Sequence, residues 1–127
     1  MYEVLKPLYG SPSSPRALHK TMDAYFKSEG FDTIGLEESV WVRPAGGKYS
    51  EDIYVSAHVD DRLLSCKSLS VMSQFKGDSL SRFAGTDEGE VTEYLGYELV
   101  RDRKARTGRL VQAGYAERVL RAFSMWD

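Results

Sequence analysis

One short segment, His58-Val59-Asp60-Asp61, carries the side chains best suited to chemistry. Two adjacent carboxylates repel each other unless a cation or solvent neutralises them. A divalent metal ion would do so, and magnesium and manganese prefer oxygen ligands of this kind. In nucleotidyl transfer, a metal pair held by carboxylates stabilises the attacking and leaving oxygens. The pair therefore indicates either a metal site or, as is more common for such a dipeptide, a solvated acidic turn.

Two neighbours of the acidic pair extend the candidate site. Arg62 can neutralise Asp60 and Asp61 through charge-assisted hydrogen bonds, in the place that a metal would hold, or it can point to solvent. His58 can act as a metal ligand, since alternation along a regular strand would put it on the same face as Asp60. The more common alternative is an ordinary strand histidine.

The elements around the pair are predicted to hold it at the tip of a β-hairpin. An apolar run begins at Ile53 and ends before the acids, and Leu63-Leu64 begin a second run after them. The turn signal is weak, because neither acid is a glycine. The hairpin prediction therefore depends on the two flanking runs.

The rest of the chain predicts helices and short strands in alternating groups. Apolar residues at helical spacing, the second set interrupted at Gly77-Asp78, predict helices over about 15–29, 68–83 and 115–123. Gly30 is expected to end the first of them. Further β-like runs lie at 31–34, 40–42, 92–100 and 108–111. Hairpin connections in this order favour the α+β class, with an antiparallel sheet covered by helices on one face.

Length and composition fit one folded domain over residues 1–127. The charged fraction of 28% and the hydrophobic fraction of 42% are ordinary for a globular protein and disfavour disorder. A net charge of −2 argues against a domain that clamps nucleic acid by bulk charge. The single Cys66 excludes an internal disulfide and fits a reducing compartment. No stretch reaches the ~20 apolar residues that span a bilayer.

One segment departs from this mildly acidic character. Five cations lie within nine residues, with Asp102 as the only acid among them: Arg101, Arg103, Lys104, Arg106 and Arg109. The run can contact phosphates, or it can be a solvated hairpin loop, since no aromatic residue for base stacking is interleaved. Of the two tryptophans, Trp41 is expected to pack inside, and Trp126 can pack or anchor a partner.

Short motifs also follow one another in a specific order along nearly the whole chain. They are Leu5-Lys6-Pro7-Leu8-Tyr9-Gly10, Gly30-Phe31, His58-Val59-Asp60-Asp61, Tyr94-Leu95-Gly96-Tyr97-Glu98-Leu99 and Tyr115-Ala116. This series resembles the reverse transcriptase of copia-type retrotransposons. In that family, Tyr-Val-Asp-Asp stands at the position that His58-Val59-Asp60-Asp61 occupies in this chain.

The resemblance implies a palm-like domain of an RNA-directed DNA polymerase. Asp60 would be a metal ligand and Asp61 would support the site, with magnesium or manganese as the cofactor. His58 would lie against the primer strand. Tyr9 and Gly10 would lie near the incoming nucleotide and the template.

Departures from the family pattern limit this expectation. The family's other metal-binding aspartate belongs to a segment before residue 1, and the thumb, the ribonuclease H region and most of the fingers have no counterpart in this sequence. We therefore expect a chain that is inactive as a polymerase on its own and serves as a structural or interaction module. A protein partner or self-association is expected, with nucleic acid as a weaker candidate. The alternative is part of an active polymerase within a retrotransposon polyprotein.

Overall fold

The computed structural model describes residues 14–126, apart from the side chain of Glu37. Within this range the chain forms three helices and seven strands. In chain order they are α1 Ser14–Ser28, β1 Asp32–Ile34, β2 Glu37–Arg43, β3 Ile53–His58, β4 Asp61–Cys66, α2 Leu69–Arg82, β5 Glu93–Tyr94, β6 Tyr97–Asp102, β7 Thr107–Val111 and α3 Ala113–Ala122. The predicted α+β class with antiparallel strands is confirmed, although the strands form two sheets.

The chain divides into two compact units, Met1–Gly85 and Thr86–Asp127. The first contains a four-stranded sheet in the order β1-β2-β3-β4, and the second a three-stranded sheet in the order β5-β6-β7. All neighbouring strands in both sheets are antiparallel. The single palm-like domain expected over residues 1–127 stays a prediction.

An aromatic core holds the first unit together. Phe26 lies against the rings of Phe31, Trp41 and Phe75, with ring centroids between 4.9 and 6.4 Å apart. The predicted inward packing of Trp41 is confirmed, since its side chain is fully buried. Burial of each such side chain stabilises the fold by about 1.5–3 kcal/mol.

The buried face and the end of helix α1 both follow from its sequence. Met22 and Phe26 are four residues apart, and both are buried on the face that packs against the sheet. The helix ends as Gly30 predicted: this residue has φ of +85°, and Phe31 N–H donates to the Phe26 carbonyl at 2.9 Å. That 6→1 hydrogen bond after a left-handed glycine is the Schellman ending of a helix.

Both helices of the first unit cover the same face of its sheet. On β3 the alternate residues Ile53 and Val55 are buried in the cluster that contains the helical residues, while Tyr54 between them is 43% exposed. Strand alternation therefore leaves the other face uncovered by α1 and α2. This confirms helices on one face for the four-stranded sheet.

The helix predicted over about 68–83 is confirmed as α2. Although the apolar spacing is interrupted at Gly77-Asp78, the helix runs unbroken from Leu69 to Arg82. A Cβ atom at Gly77 would meet nothing within 4 Å, so no close approach requires a glycine at this position. Asp78 is used outside the helix, as an acceptor for the Tyr49 hydroxyl.

The second unit is a small meander followed by a helix. The strand predicted over 92–100 is divided, because Leu95 and Gly96 form a turn with φ of +52° and +77°. Positive φ at both central residues is the signature of a tight hairpin turn. None of the described residues of this unit is buried, including those of α3. No helix within residues 14–126 has the length and apolar character needed to cross a membrane.

Candidate metal-binding hairpin

The acidic pair lies where the sequence predicts it, at the tip of the β3–β4 hairpin. Six cross-strand pairs fix the register, from Ile53 with Cys66 at the base to His58 with Asp61 at the tip. Val59 and Asp60 form the two-residue connection. Because Ile53 and Val55 are fully buried, the base of the hairpin is held in the core and its tip extends from it.

The turn itself holds a strained residue. Val59 has φ of +57°, a left-handed value that is unusual for a β-branched side chain. Among the two turn residues only Val59 has a positive φ, which is the pattern of a type II′ turn. Such strain costs on the order of 1–3 kcal/mol and is typical of functional sites.

Both carboxylates are exposed and lack protein partners. Asp60 is the second turn residue, and Asp61 is the first residue of β4. Within residues 14–126, neither side chain forms a hydrogen bond or an ion pair. The two acids therefore present their oxygens to solvent rather than to the protein.

His58 differs in its placement from the prediction. Strand β3 ends at His58, so regular alternation does not extend to Asp60, and the residue directly opposite His58 is Asp61. Cβ atoms of opposite residues on an antiparallel pair are about 4.5–5.5 Å apart. His58 therefore shares a sheet face with the second carboxylate and not with the first.

Arg62 does not neutralise the acidic pair in this structure. Its Nη1 donates to Ser79 Oγ at 3.1 Å, and its guanidinium lies 5.2 Å from the centre of the Phe83 ring. Burial lowers the pKa of Arg62, and the nearby Tyr25 opposes that shift. The physical reason is alternation: Arg62 follows Asp61 directly and therefore points to the helix-covered face of the sheet.

The donor set fits a hard divalent cation in type but not in number. Carboxylate oxygens are the ligands that magnesium and manganese prefer, and Asp60 and Asp61 supply them. Within the described range, however, no group of three or more histidine, cysteine, aspartate or glutamate side chains comes together to hold a metal ion. A metal at this tip would need further ligands from solvent, substrate or residues outside the described range.

The remaining predicted site residues, Tyr9 and Gly10, lie outside the described residues, and their nucleotide-side role stays a prediction. An open groove of about 430 Å³ lies along α1 and involves none of the predicted site residues. The hydroxyls of Thr21 and Ser28 on its wall already donate to helix carbonyls, at 2.9 and 2.7 Å.

Sequence reasoning missed the network that fastens the segment before β3. The buried Tyr49 donates its hydroxyl to Asp78 Oδ2 at 2.6 Å, and Lys48 Nζ lies 3.1 Å from the same oxygen. Lys48 also reaches Glu29 Oε2 at 3.2 Å, which joins the end of α1 to α2. The one sign of this network in the sequence is the acid at Asp78, next to Gly77. The sequence does not show its partner, because Tyr49 is 29 residues away and no local pattern links the two.

The pKa values of this network follow from its contacts. Burial, followed by the hydrogen bond to Asp78, raises the pKa of Tyr49 to about 12. The hydrogen bonds from Tyr49 and Lys48 lower the pKa of Asp78. Hydrogen bonds to Asp78 and Glu29 raise the pKa of Lys48. The network is therefore most stable with a neutral tyrosine, a charged lysine and a charged aspartate.

Comparison with known proteins agrees with the motif order. The family model described as "Reverse transcriptase (RNA-dependent DNA polymerase)" matches residues 1–127. A retrovirus-related Pol polyprotein from transposon TNT 1-94 of Nicotiana tabacum is 32% identical over 122 residues, which cover 94% of this chain. No solved structure matches the chain.

An α+β fold with an Asp-Asp hairpin and a match over the full chain define the class: the chain belongs to the reverse transcriptase (RNA-dependent DNA polymerase) family. Within it, the chain is a copia-type, reverse-transcriptase-like domain of a retrotransposon polyprotein. The chain spans 9% of the length of the tobacco polyprotein that it matches.

Proposed function

We propose that this chain is a palm-like module that does not polymerise DNA by itself and serves as a structural or protein-interaction part of a larger assembly. One observation carries the proposal. The hairpin tip keeps its two carboxylates, Asp60 and Asp61, but no third protein ligand joins them within the described range. A two-metal polymerase site holds both the attacking and the leaving oxygen, and two exposed acids are too few to fix such a pair.

The acids nevertheless have the chemistry of a partial metal site. Asp60 and Asp61 would hold magnesium or manganese through their oxygens, and His58 stands opposite Asp61 at the same end of the hairpin. When bound, the metal would supply charge stabilisation for oxygens in nucleotidyl transfer. Tyr9 and Gly10 on the nucleotide side, and His58 on the primer side, are proposed by resemblance alone.

The apolar surface of the second unit supports an interaction role. Several large apolar side chains near the end of the chain are exposed, namely Tyr115, Phe123, Met125 and Trp126. These four residues lie within twelve positions of the sequence, and apolar side chains that form one exposed patch are typical of surfaces that bind other proteins. Trp126 is 45% exposed and is available to anchor a partner, the second of the two roles expected for it.

A second candidate function is part of an active RNA-directed DNA polymerase, with the remaining ligands supplied by other parts of a polyprotein. The observation that favours it is the position of the Arg62 side chain, which is directed away from the acidic pair. It donates a hydrogen bond to Ser79 and lies over the ring of Phe83. No cation of the described range has taken the place of a metal at Asp60 and Asp61. The acids would therefore be available if the missing ligands were present.

A primer-extension assay on the 127-residue chain, with magnesium or manganese, separates the two candidates. We expect no nucleotide incorporation. Asp60→Asn tests whether any signal depends on the acidic pair, and Glu88→Gln, an exposed acid in the second unit, is the charge-matched control. Incorporation that Asp60→Asn abolishes and Glu88→Gln preserves would overturn the proposal.

The interaction role has its own test. Sedimentation of the chain over a range of concentrations should show self-association, or a pull-down should recover a protein partner, and Trp126→Ala should weaken the association. A chain that stays monomeric at high concentration and recovers no partner contradicts this part of the proposal.

A further inference from the structure

The hairpin of β1 and β2 ends in an exposed apolar turn. Gly35 and Leu36 connect the two strands, and Gly35 has the positive φ, +59°, that such a tight turn requires. Leu36 is 102% exposed, more than any other large apolar side chain of the described range, and Ile34 at the same turn is 43% exposed. We refer to residues 34–36 as the hairpin knob. Burial of its apolar side chains against a partner would be favourable.

Negative charge flanks the hairpin knob on both strands. Asp32 on β1 and Glu38 on β2 are exposed, and neither has an ion-pair partner within residues 14–126. Asp32 Oδ1 accepts only the backbone N–H of the next residue, Thr33, at 2.8 Å. The knob is therefore an apolar projection between two carboxylates.

A groove of the opposite charge lies along α1 and the end of α2. It is open to solvent, has a volume of about 430 Å³, and is lined by Lys20, Thr21, Ala24, Tyr25, Ser28 and Arg82. Ala24 and the ring of Tyr25 supply apolar surface, and Phe83 holds that ring edge-on at 5.2 Å. Lys20 and Arg82 are exposed and have no ion-pair partner in the described part of the chain. We refer to these six residues as the helix groove.

The hairpin knob and the helix groove lie on different sides of α1. His19 Nε2 is 2.9 Å from the Glu38 carbonyl oxygen, so the side of α1 that carries His19 and Asp23 faces β2. Tyr25 follows Asp23 by two residues, which places it about 200° further around the helix, on the side of the groove. Because Leu36 is completely exposed, it does not occupy the groove of its own chain.

We propose that the hairpin knob of one copy of this chain binds in the helix groove of a second copy. Leu36 would pack on Ala24 and the Tyr25 ring, with the acids that flank the knob beside the cations of the groove. An apolar anchor in a pocket, with complementary charges around it, is the pattern of specific protein interfaces. The occupant is a second copy because the chain itself carries both complementary surfaces, and neither is covered within residues 14–126.

The contact joins two different surfaces and is therefore head to tail. Each bound pair keeps a free knob at one end and a free groove at the other, so that further copies add to either end. Association is expected to continue beyond a dimer as the concentration rises. The contact goes beyond the proposed function, since it uses only the first unit and needs neither the acidic pair nor Trp126.

Analytical ultracentrifugation of the full 127-residue chain tests the proposal, at concentrations up to about 1 mM because small interfaces are weak. The knob variant is Leu36→Ser. Its control is Leu69→Ser, which removes another apolar side chain, 77% exposed at the start of α2. Loss of the apolar anchor should weaken association about 10- to 100-fold, the effect of burying one leucine side chain. The control should associate like the wild type.

A second variant tests the charges of the groove. Lys20→Glu with Arg82→Glu places acids opposite the acids of the knob and should weaken association by about 10-fold or more. The control reverses two exposed cations outside the groove, Arg16 and Lys67, and should keep the wild-type association. Circular dichroism checks that every variant is folded.

A mixture of the two test variants gives the sharpest result. The knob variant keeps an intact groove, and the groove variant keeps an intact knob. The two should therefore form a one-to-one complex, although neither associates by itself. The complex should not grow further, because both of its free ends are defective.

Three results would overturn the proposal. The first is a folded wild-type chain that stays monomeric at the highest concentration. The second is wild-type association by the knob variant. If the groove variant alone then loses association, another segment fills the groove, and if Trp126→Ala alone loses it, the contact lies at the end of the chain and the interaction role proposed above stands. The third is the absence of a one-to-one complex in the mixture.

Discussion

The two units of this chain are built in different ways. All nine buried apolar residues of the described range lie between Met22 and Phe75, in the first unit. The second unit has three strands and a helix but no buried residue among those described. Backbone hydrogen bonds join its strands, and ion pairs such as Arg103 with Glu90 lie on its surface. Exposed ion pairs of this kind contribute little to the free energy of unfolding in water.

This difference bears on where each of the proposed functions would lie. The acidic hairpin is rooted in a core, so Val59 can be held in a strained turn by the packing below it. The second unit instead exposes the cations of the β6–β7 hairpin and apolar side chains near the end of the chain. Rigid placement of two carboxylates needs packing, whereas the proposed contact with a partner needs exposed surface.

The largest expected effect tests whether the first unit has a buried core and the second does not. Phe75→Ala removes a fully buried ring that contacts Phe26, Phe31 and Tyr49, and should lower the free energy of unfolding by about 3–5 kcal/mol. Phe123→Ala, at a 72% exposed position, should change it by less than about 0.5 kcal/mol. Urea unfolding measures both. Equal effects at the two positions would remove the distinction between the units.

A smaller effect tests the network that fastens the segment before β3 to α2. Tyr49→Phe removes the hydrogen bond to Asp78 and should cost about 1.5–3 kcal/mol, because the acceptor is charged. Tyr54→Phe, on the uncovered face of β3, should have almost no effect on the free energy of unfolding. If both variants unfold at the same urea concentration as the wild type, the network does not stabilise the first unit.

The same network predicts a pH dependence. The pKa of Asp78 is lowered by Tyr49 and then by Lys48, so its contribution to stability is present above its ordinary value of 3.8. That contribution is lost as pH falls through the lower pKa of the folded state. Urea unfolding from neutral pH down to about pH 3 should show a shallower loss of stability for Asp78→Asn. Asp23, whose pKa Lys27 and Trp41 also lower, should leave a residual slope. An unchanged pH profile in Asp78→Asn would count against the network.

The smallest stability effect concerns strain at the tip. Val59→Gly relieves the left-handed conformation and should raise the free energy of unfolding by about 1 kcal/mol. Val42→Gly is the control, since this position lies in extended backbone within β2 and should be destabilised by the same change. Thermal unfolding compares the two. Destabilisation by Val59→Gly would mean that the turn is not strained.

The sequence predicted the elements whose signals are local. The acidic hairpin followed from the apolar runs beginning at Ile53 and Leu63, and Gly30 marked the end of α1. Arg62 could also have been placed, since strict alternation puts it on the face opposite Asp61. The Leu95-Gly96 turn was missed because leucine is not a typical left-handed residue. The Tyr49 to Asp78 contact depends on tertiary packing and has no local signal.

The most direct test of the central claim is manganese titration of the isotope-labelled chain, followed by NMR line broadening. We expect weak binding, with a dissociation constant on the order of 10⁻³ M, since two exposed carboxylates supply few of the six or more ligands of a tight site. Broadening should be strongest at the amides of residues 58–62 and should disappear in the Asp60→Asn, Asp61→Asn double variant. Micromolar binding at this tip, or broadening that the double variant leaves unchanged, would contradict the claim that the hairpin holds only part of a metal site.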